Sequence, residues 1–242
     1  LFIVWQLTAY AVKEYKHNQN IRDFIKYSLI YFTVMMVFLL LTWPGVWRYD
    51  EFAMFDNYRN LVINSWHGPA ISYFYIFSMM IFPFPSGVAI VQNIIISMIV
   101  GYIILEFRKY FKNSRLAYLM YVPFLLFPTI DSNLFLVTST LYGYLWLLAA
   151  VKLFLTGYDS RITMRAVTAL IITAVLITFF RKEGILFLFL LLPLIFYCYK
   201  TTLKQKVIIV IAVFFIITSA IVLRNAGVDK EKYEIAGICV GL

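Results

Sequence analysis

The chain has 242 residues, 63% of them hydrophobic and only 14% charged, with a mean hydropathy of +0.85. An average soluble domain carries about 25% charged residues, so this composition excludes an ordinary water-soluble enzyme and predicts an integral membrane protein. The net charge of +9 does not argue for nucleic acid, because the basic residues fall in short loops between apolar runs, where they set topology.

Several apolar windows approach or exceed the roughly 17 to 25 residues that a helix needs to cross a hydrocarbon core, and strand-like alternation is absent. The expected fold is therefore all-α, a polytopic helical bundle forming a single transmembrane domain over 1–242. Residues 1–12 read as the last half of a span and the chain stops at Leu242 without a terminator, so the sequence reads as a fragment. No basic region precedes the apolar start, and no cleavable signal is recognised.

A polar stretch with Lys13, Lys16, Arg22 and Lys26 comes next, followed by a predicted span at about 27–47 that ends in Trp43-Pro-Gly-Val-Trp47. Arg48, Tyr49, Asp50 and Glu51 follow at once, opening a polar and aromatic stretch to residue 68. Residues 69–82 are apolar but too few to span, and they are bounded by Gly68-Pro69 and Pro83-Phe-Pro85. They predict an interfacial helix with Tyr73, Tyr75 and Phe77 at headgroup level. Further spans are predicted at about 88–107, 116–130, 134–153, 162–180, 184–200 and 207–223, several of them short or broken by Pro123, Pro128 and Pro193, with an outer tail at 224–242.

Charge orients this arrangement. With the first basic loop inside, the inner loops hold 14 of the 21 Lys and Arg: four in 13–26, four in 108–115, three in 152–165 and three in 200–206. Eight of the 12 acidic residues fall outside. The positive-inside rule counts Lys and Arg and supports this orientation provided 69–82 does not cross. Asp50, Glu51, Asp56, His67, Asp131 and the Arg181-Lys182-Glu183 turn then share the outer face. Cys198 and Cys239 fall on opposite sides, so no disulfide is expected.

Three clusters carry candidate chemistry. Asp50 and Glu51 sit at a membrane boundary beside Trp43, Trp47 and Tyr49; partial desolvation raises a carboxylate's pKa and makes it a better proton acceptor near neutrality. The plain alternative is that acids simply mark the outer end of a span. Trp66 and His67 enter the short helix through Gly68-Pro69, and an imidazole near carboxylates can bind phosphate, share a proton or ligate a metal, although a lone interfacial His is more often structural. Arg181, Lys182 and Glu183 interrupt more than thirty apolar residues. Cations there need an anionic partner, either Glu183 or a ligand phosphate, and positive charge on the outer side runs against the topology rule.

The order of these elements resembles bacterial multi-pass glycosyltransferases of the GT-C superfamily, over about residues 27–200: a first full span ending in Pro-Gly, an acidic residue shortly after, an aromatic-rich loop, Trp-His before a short apolar helix, and Arg-x-x-Gly between two later spans. Tyr49-Asp50-Glu51 fits that family's acidic motif, while Trp66-His67-Gly68-Pro69 fits its His-Pro-Pro motif in part, since Gly68 replaces a Pro. The resemblance implies a GT-C bundle whose outer-face loop carries short interfacial helices. It also implies transfer of a sugar from a polyprenyl-phosphate donor to a cell-surface glycan or lipid acceptor. Asp50 or Glu51 would be the base and Arg48, Trp66, His67, Arg181, Lys182 and Glu183 would bind substrate. A divalent cation is left open by one acid pair and one His. No Gly-rich phosphate loop is present. A transporter or flippase, or a non-catalytic membrane assembly subunit, is the competing class.

Overall fold

In the computed structural model, residues 18–46, 52, 54–56, 69–111, 114–134, 139–158, 164–180, 186 and 203–226 are described. They are overwhelmingly helical, with no strand among them. The elements are α1 (Gln19–Leu41), α2 (Pro69–Ile81), α3 (Gly87–Arg108), a 3-10 helix η1 (Ser114–Phe124), α4 (Phe127–Leu134), α5 (Ser139–Tyr158), α6 (Met164–Phe180) and α7 (Leu203–Ala226). Two of them, α1 and α3, are long and apolar enough to cross a membrane. The chain divides into two compact units, one of Leu1–Val46 with Pro85–Leu136 and one of Trp47–Phe84 with Val137–Leu242.

In the first unit, Asn18 caps α1 by accepting from the Asn20 N–H at 3.0 Å. The helix therefore starts about two turns before the predicted span, on polar residues. It stops at Leu41 because Pro44 follows and the chain turns: the Thr42 N–H bonds the Phe38 carbonyl at 3.1 Å, and the Gly45 N–H bonds the Thr42 carbonyl at 2.8 Å. Gly45 has a φ of 115°, a left-handed conformation that glycine adopts without a Cβ penalty. Tyr27, Tyr31, Met35 and Leu39 are buried at a spacing of four, which makes one stripe along α1. Its other faces are apolar yet exposed, at Leu29, Val37, Leu40 and Leu41.

α3 is buried on nearly every side and forms the centre of this unit. It runs antiparallel to α1. Arg108 in its last turn pairs with Asp23 near the start of α1, and Gly101 lies against Ser28. The absence of a side chain at Gly101 permits that approach, since a Cβ there would stand 2.8 Å from the Ser28 backbone nitrogen.

A single span is expected at 116–130, but the chain forms two pieces, η1 and α4, separated at Leu125 and Leu126. Two prolines account for the break. Pro128 has no N–H to offer the carbonyl of Phe124, its i−4 partner in a continuous helix, and Pro123 interrupts the ladder one turn earlier. The orphaned Phe124 carbonyl instead accepts from the Tyr31 hydroxyl at 3.0 Å. Other elements satisfy the carbonyls at the end of α4 in the same way. Asn133 O accepts from Gln92 Nε2 and Asn93 Nδ2, each at 3.3 Å, and Leu134 O accepts from the Val46 N–H at 3.1 Å. Asn133 Nδ2 in turn donates to the Tyr31 hydroxyl at 2.8 Å. Buried polar side chains thus hold a broken element that its own ladder cannot hold. Tyr31→Phe removes both bonds at that hydroxyl, and an unfolding titration should show a loss of about 1–3 kcal/mol; an unchanged midpoint would show that the break holds without it.

In the second unit α6 is the hub, against which α2, α5 and α7 each pack. The Ser78, Thr173, Thr178 and Thr218 hydroxyls donate to the carbonyls four residues back at 2.7–2.8 Å, so these polar groups are satisfied within their own apolar helices. α2 falls within a residue of its predicted bounds. One detail differs: Tyr75 is buried, whereas Tyr73 and Phe77 are exposed. Residues 73 and 77 share a helix face, and 75, two positions on, points the opposite way. The other helices depart modestly from expectation: α3 agrees within one residue, α5 begins five residues after the predicted start because α4 occupies 127–134, and α7 runs three residues past the predicted end.

Candidate functional site

Arg48, Asp50, Glu51, Trp66, His67, Arg181, Lys182 and Glu183 all lie outside the described residues, as do Cys198, Cys239 and most of the predicted spans at 1–12 and 184–200. The structure describes their flanks. Val46, two residues before Arg48, is tied to the end of α4 by its bond to Leu134. Within the helical turn at 54–56, Met54 is buried and Asp56 is exposed.

The second motif, Trp66-His67, leads into α2, and the third begins where α6 ends. These two flanks meet. Phe74, in the first half of α2, packs edge-on against Phe180, the last residue of α6, with ring centroids 6.4 Å apart. Phe180 is buried and its carbonyl is bonded directly to Arg181. The helix that follows Trp66-His67 therefore packs, near its middle, against the last residue of α6. Asp131, also expected on the outer face, lies on α4 in the first unit.

Among the described residues no group of three His, Cys, Asp or Glu side chains is placed to hold a metal ion. The question of a divalent cation thus rests on Asp50, Glu51 and His67.

A second polar locus escaped the motif reading. Tyr31, Gln92, Asn93 and Asn133 are all buried in the first unit and linked by the bonds described above. Asn93 Oδ1 and the Ser97 hydroxyl, one turn apart on α3, are buried with no hydrogen-bond partner among the described residues. The visible signal was Gln92-Asn93, two adjacent amides inside an apolar run; neither is ionisable, so a search for acids, bases and ligands passes over them.

No family model matches the chain, and no curated protein or solved structure matches it either.

Proposed function

We propose that the chain is a multi-pass membrane glycosyltransferase of GT-C type, which transfers a sugar from a polyprenyl-phosphate donor to a surface glycan or lipid at the outer face of the cell membrane. The observation that carries this reading is the Phe74–Phe180 contact. It packs the helix that follows Trp66-His67 against Phe180, the residue before Arg181, which is consistent with a site built from both motifs. The apolar, exposed faces of α1 suit a helix solvated by lipid.

In the proposed reaction, the acceptor hydroxyl attacks the anomeric carbon as the bond to the phosphate oxygen breaks, inverting the configuration. Asp50 or Glu51 accepts the hydroxyl proton, while Arg181 and Lys182 neutralise the departing polyprenyl phosphate. Arg48, Trp66, His67 and Glu183 line the donor and acceptor. A lipid-linked donor already stands at the interface, so the reaction needs no soluble nucleotide-binding domain.

The test is release of polyprenyl phosphate from a lipid-linked sugar by purified full-length protein; no release with any of a panel of donors and acceptors would count against the reading. Arg181→Ala should slow release with every acceptor alike, because it acts on the donor phosphate. A defect confined to one acceptor would reassign that residue.

Orientation has its own check. The Asp23–Arg108 pair puts Arg22 and Lys26 at the start of α1 and Arg108 and Lys109 at the end of α3 on one end of this helix pair, which supports assigning both basic stretches to the cytoplasm. Single cysteines at 108–115 should resist an impermeant thiol reagent applied outside, and those at 48–68 should react; labelling at 108–115 would reverse the topology.

A transporter or flippase is the second reading, favoured by the broken η1–α4 element and by the buried, unpartnered oxygens of Asn93 and Ser97. It predicts that Asn93→Leu abolishes function, whereas the transferase reading predicts only lower stability.

A further inference from the structure

We propose that the first unit holds an anionic membrane lipid at the end opposite Val46, with the headgroup phosphate between Arg22 and Lys26 and an acyl chain along η1. The inference rests on the chain being a membrane protein and is independent of sugar transfer.

The first turns of α1 and η1 and the last turn of α3 converge at this end. Arg22, Asp23, Lys26, Glu106, Arg108, Lys109 and Arg115 are its charged groups among the described residues. Both acids are engaged: Asp23 pairs with Arg108 and accepts from Gln19 Nε2 at 3.2 Å, and Glu106 pairs with Lys109 at 2.8 Å. Among the described residues neither Arg22 nor Lys26 forms an ion pair; Tyr118 is the main partner of Lys26, and the Asp23 carboxylate acts on it more weakly. The Arg22 guanidinium donates to Gln19 Oε1 at 2.6 Å, and the Lys26 ammonium sits 5.9 Å from the centre of the Tyr118 ring. Being four residues apart, the two cations share a face of α1, and both are exposed. Their charge is therefore available to an external anion.

The adjoining surface is apolar. A 3-10 helix has three residues per turn, so Leu116, Leu119 and Val122 stack in one row along η1. All three are exposed, at 43%, 62% and 55%. Tyr118, between the cations and this row, is also exposed and stacks on the buried Tyr121 with ring centroids 6.3 Å apart. Paired cations, an aromatic residue and an apolar ridge, in that order, match a phosphate, its glycerol region and an acyl chain. Inorganic phosphate would use the cations but not the ridge.

The experiment measures retention of phosphatidylglycerol and phosphatidylcholine by the full-length protein, using native mass spectrometry and titration in detergent. Phosphatidylglycerol should bind in preference. Arg22→Gln with Lys26→Gln should weaken it roughly 25-fold, given the usual contribution of each basic side chain near an anionic surface. Lys26→Arg should restore binding, and Leu119→Ser should weaken phosphatidylglycerol without altering the response to inorganic phosphate. The two Gln changes lie on an exposed face, and helicity by circular dichroism should be unchanged. Equal retention of the two lipids, wild-type affinity in the double variant, or displacement by millimolar inorganic phosphate as readily as by short-chain phosphatidylglycerol would overturn the proposal.

Discussion

Under the proposed function, Asp50→Asn should lower sugar transfer by about 10²- to 10⁴-fold, the usual effect of losing a general base, while the protein stays folded and in the membrane. Asp50 is the first acid after the first predicted span, and on the proposed topology it is the nearer of the two to the membrane and the choice for the base. Asparagine keeps the shape of the side chain and one acceptor oxygen, but its amide nitrogen donates where the carboxylate accepts and cannot take a proton. Stability should change little, because substitutions in exposed loops usually fall within about 0.5 kcal/mol. Glu51→Gln should give a smaller loss and, if Glu51 helps hold a cation, one that depends on added divalent metal. Near-normal turnover in Asp50→Asn, in Glu51→Gln and in the two combined would remove the catalytic reading of this pair and leave the transporter or assembly subunit.

Gly101→Val should cost about 1–3 kcal/mol of stability from overpacking. The first added carbon would lie 2.8 Å from the Ser28 nitrogen and 3.0 Å from its Cα. Those are backbone atoms, so α1 itself must withdraw, and the Asp23–Arg108 pair would loosen with it. Ser28→Ala should not rescue the variant, because it removes only the hydroxyl and leaves the backbone clash in place. Gly143 is the control: a Cβ there meets nothing within 4 Å, so Gly143→Ala should be neutral or stabilising in an unfolding titration. Equal tolerance at the two glycines would show that α1 and α3 do not approach as closely as described.

Some of this architecture was legible in the sequence. α3 could be delimited to a residue because Ser86-Gly87 and Arg108 bound a long run that is mostly apolar. α2 could be recognised as a short helix because prolines mark both of its ends. The break at Pro128 was visible, but its remedy was not. The hydroxyl that replaces the missing N–H belongs to Tyr31, 93 residues away from Phe124, and no local pattern links the two. Tyr75 shows a different limit: composition groups it with Tyr73 and Phe77, whereas helical phase turns it inward and leaves those two exposed. For the candidate site, the sequence supplies residue types and their order. The contact between Phe74 and Phe180 adds that the middle of α2 packs against the last residue of α6, a relation that spacing along the chain cannot reveal.

The most direct test of sugar transfer is mass spectrometry of surface glycans and lipid-linked sugars from cells carrying the intact protein, lacking it, or carrying Asp50→Asn with Glu51→Gln. Loss of one sugar from a surface glycan or lipid, with accumulation of its polyprenyl-phosphate donor, is predicted in both defective strains. Unchanged glycans and donor pools in the strain lacking the protein, or a normal glycan in the double variant, would contradict it.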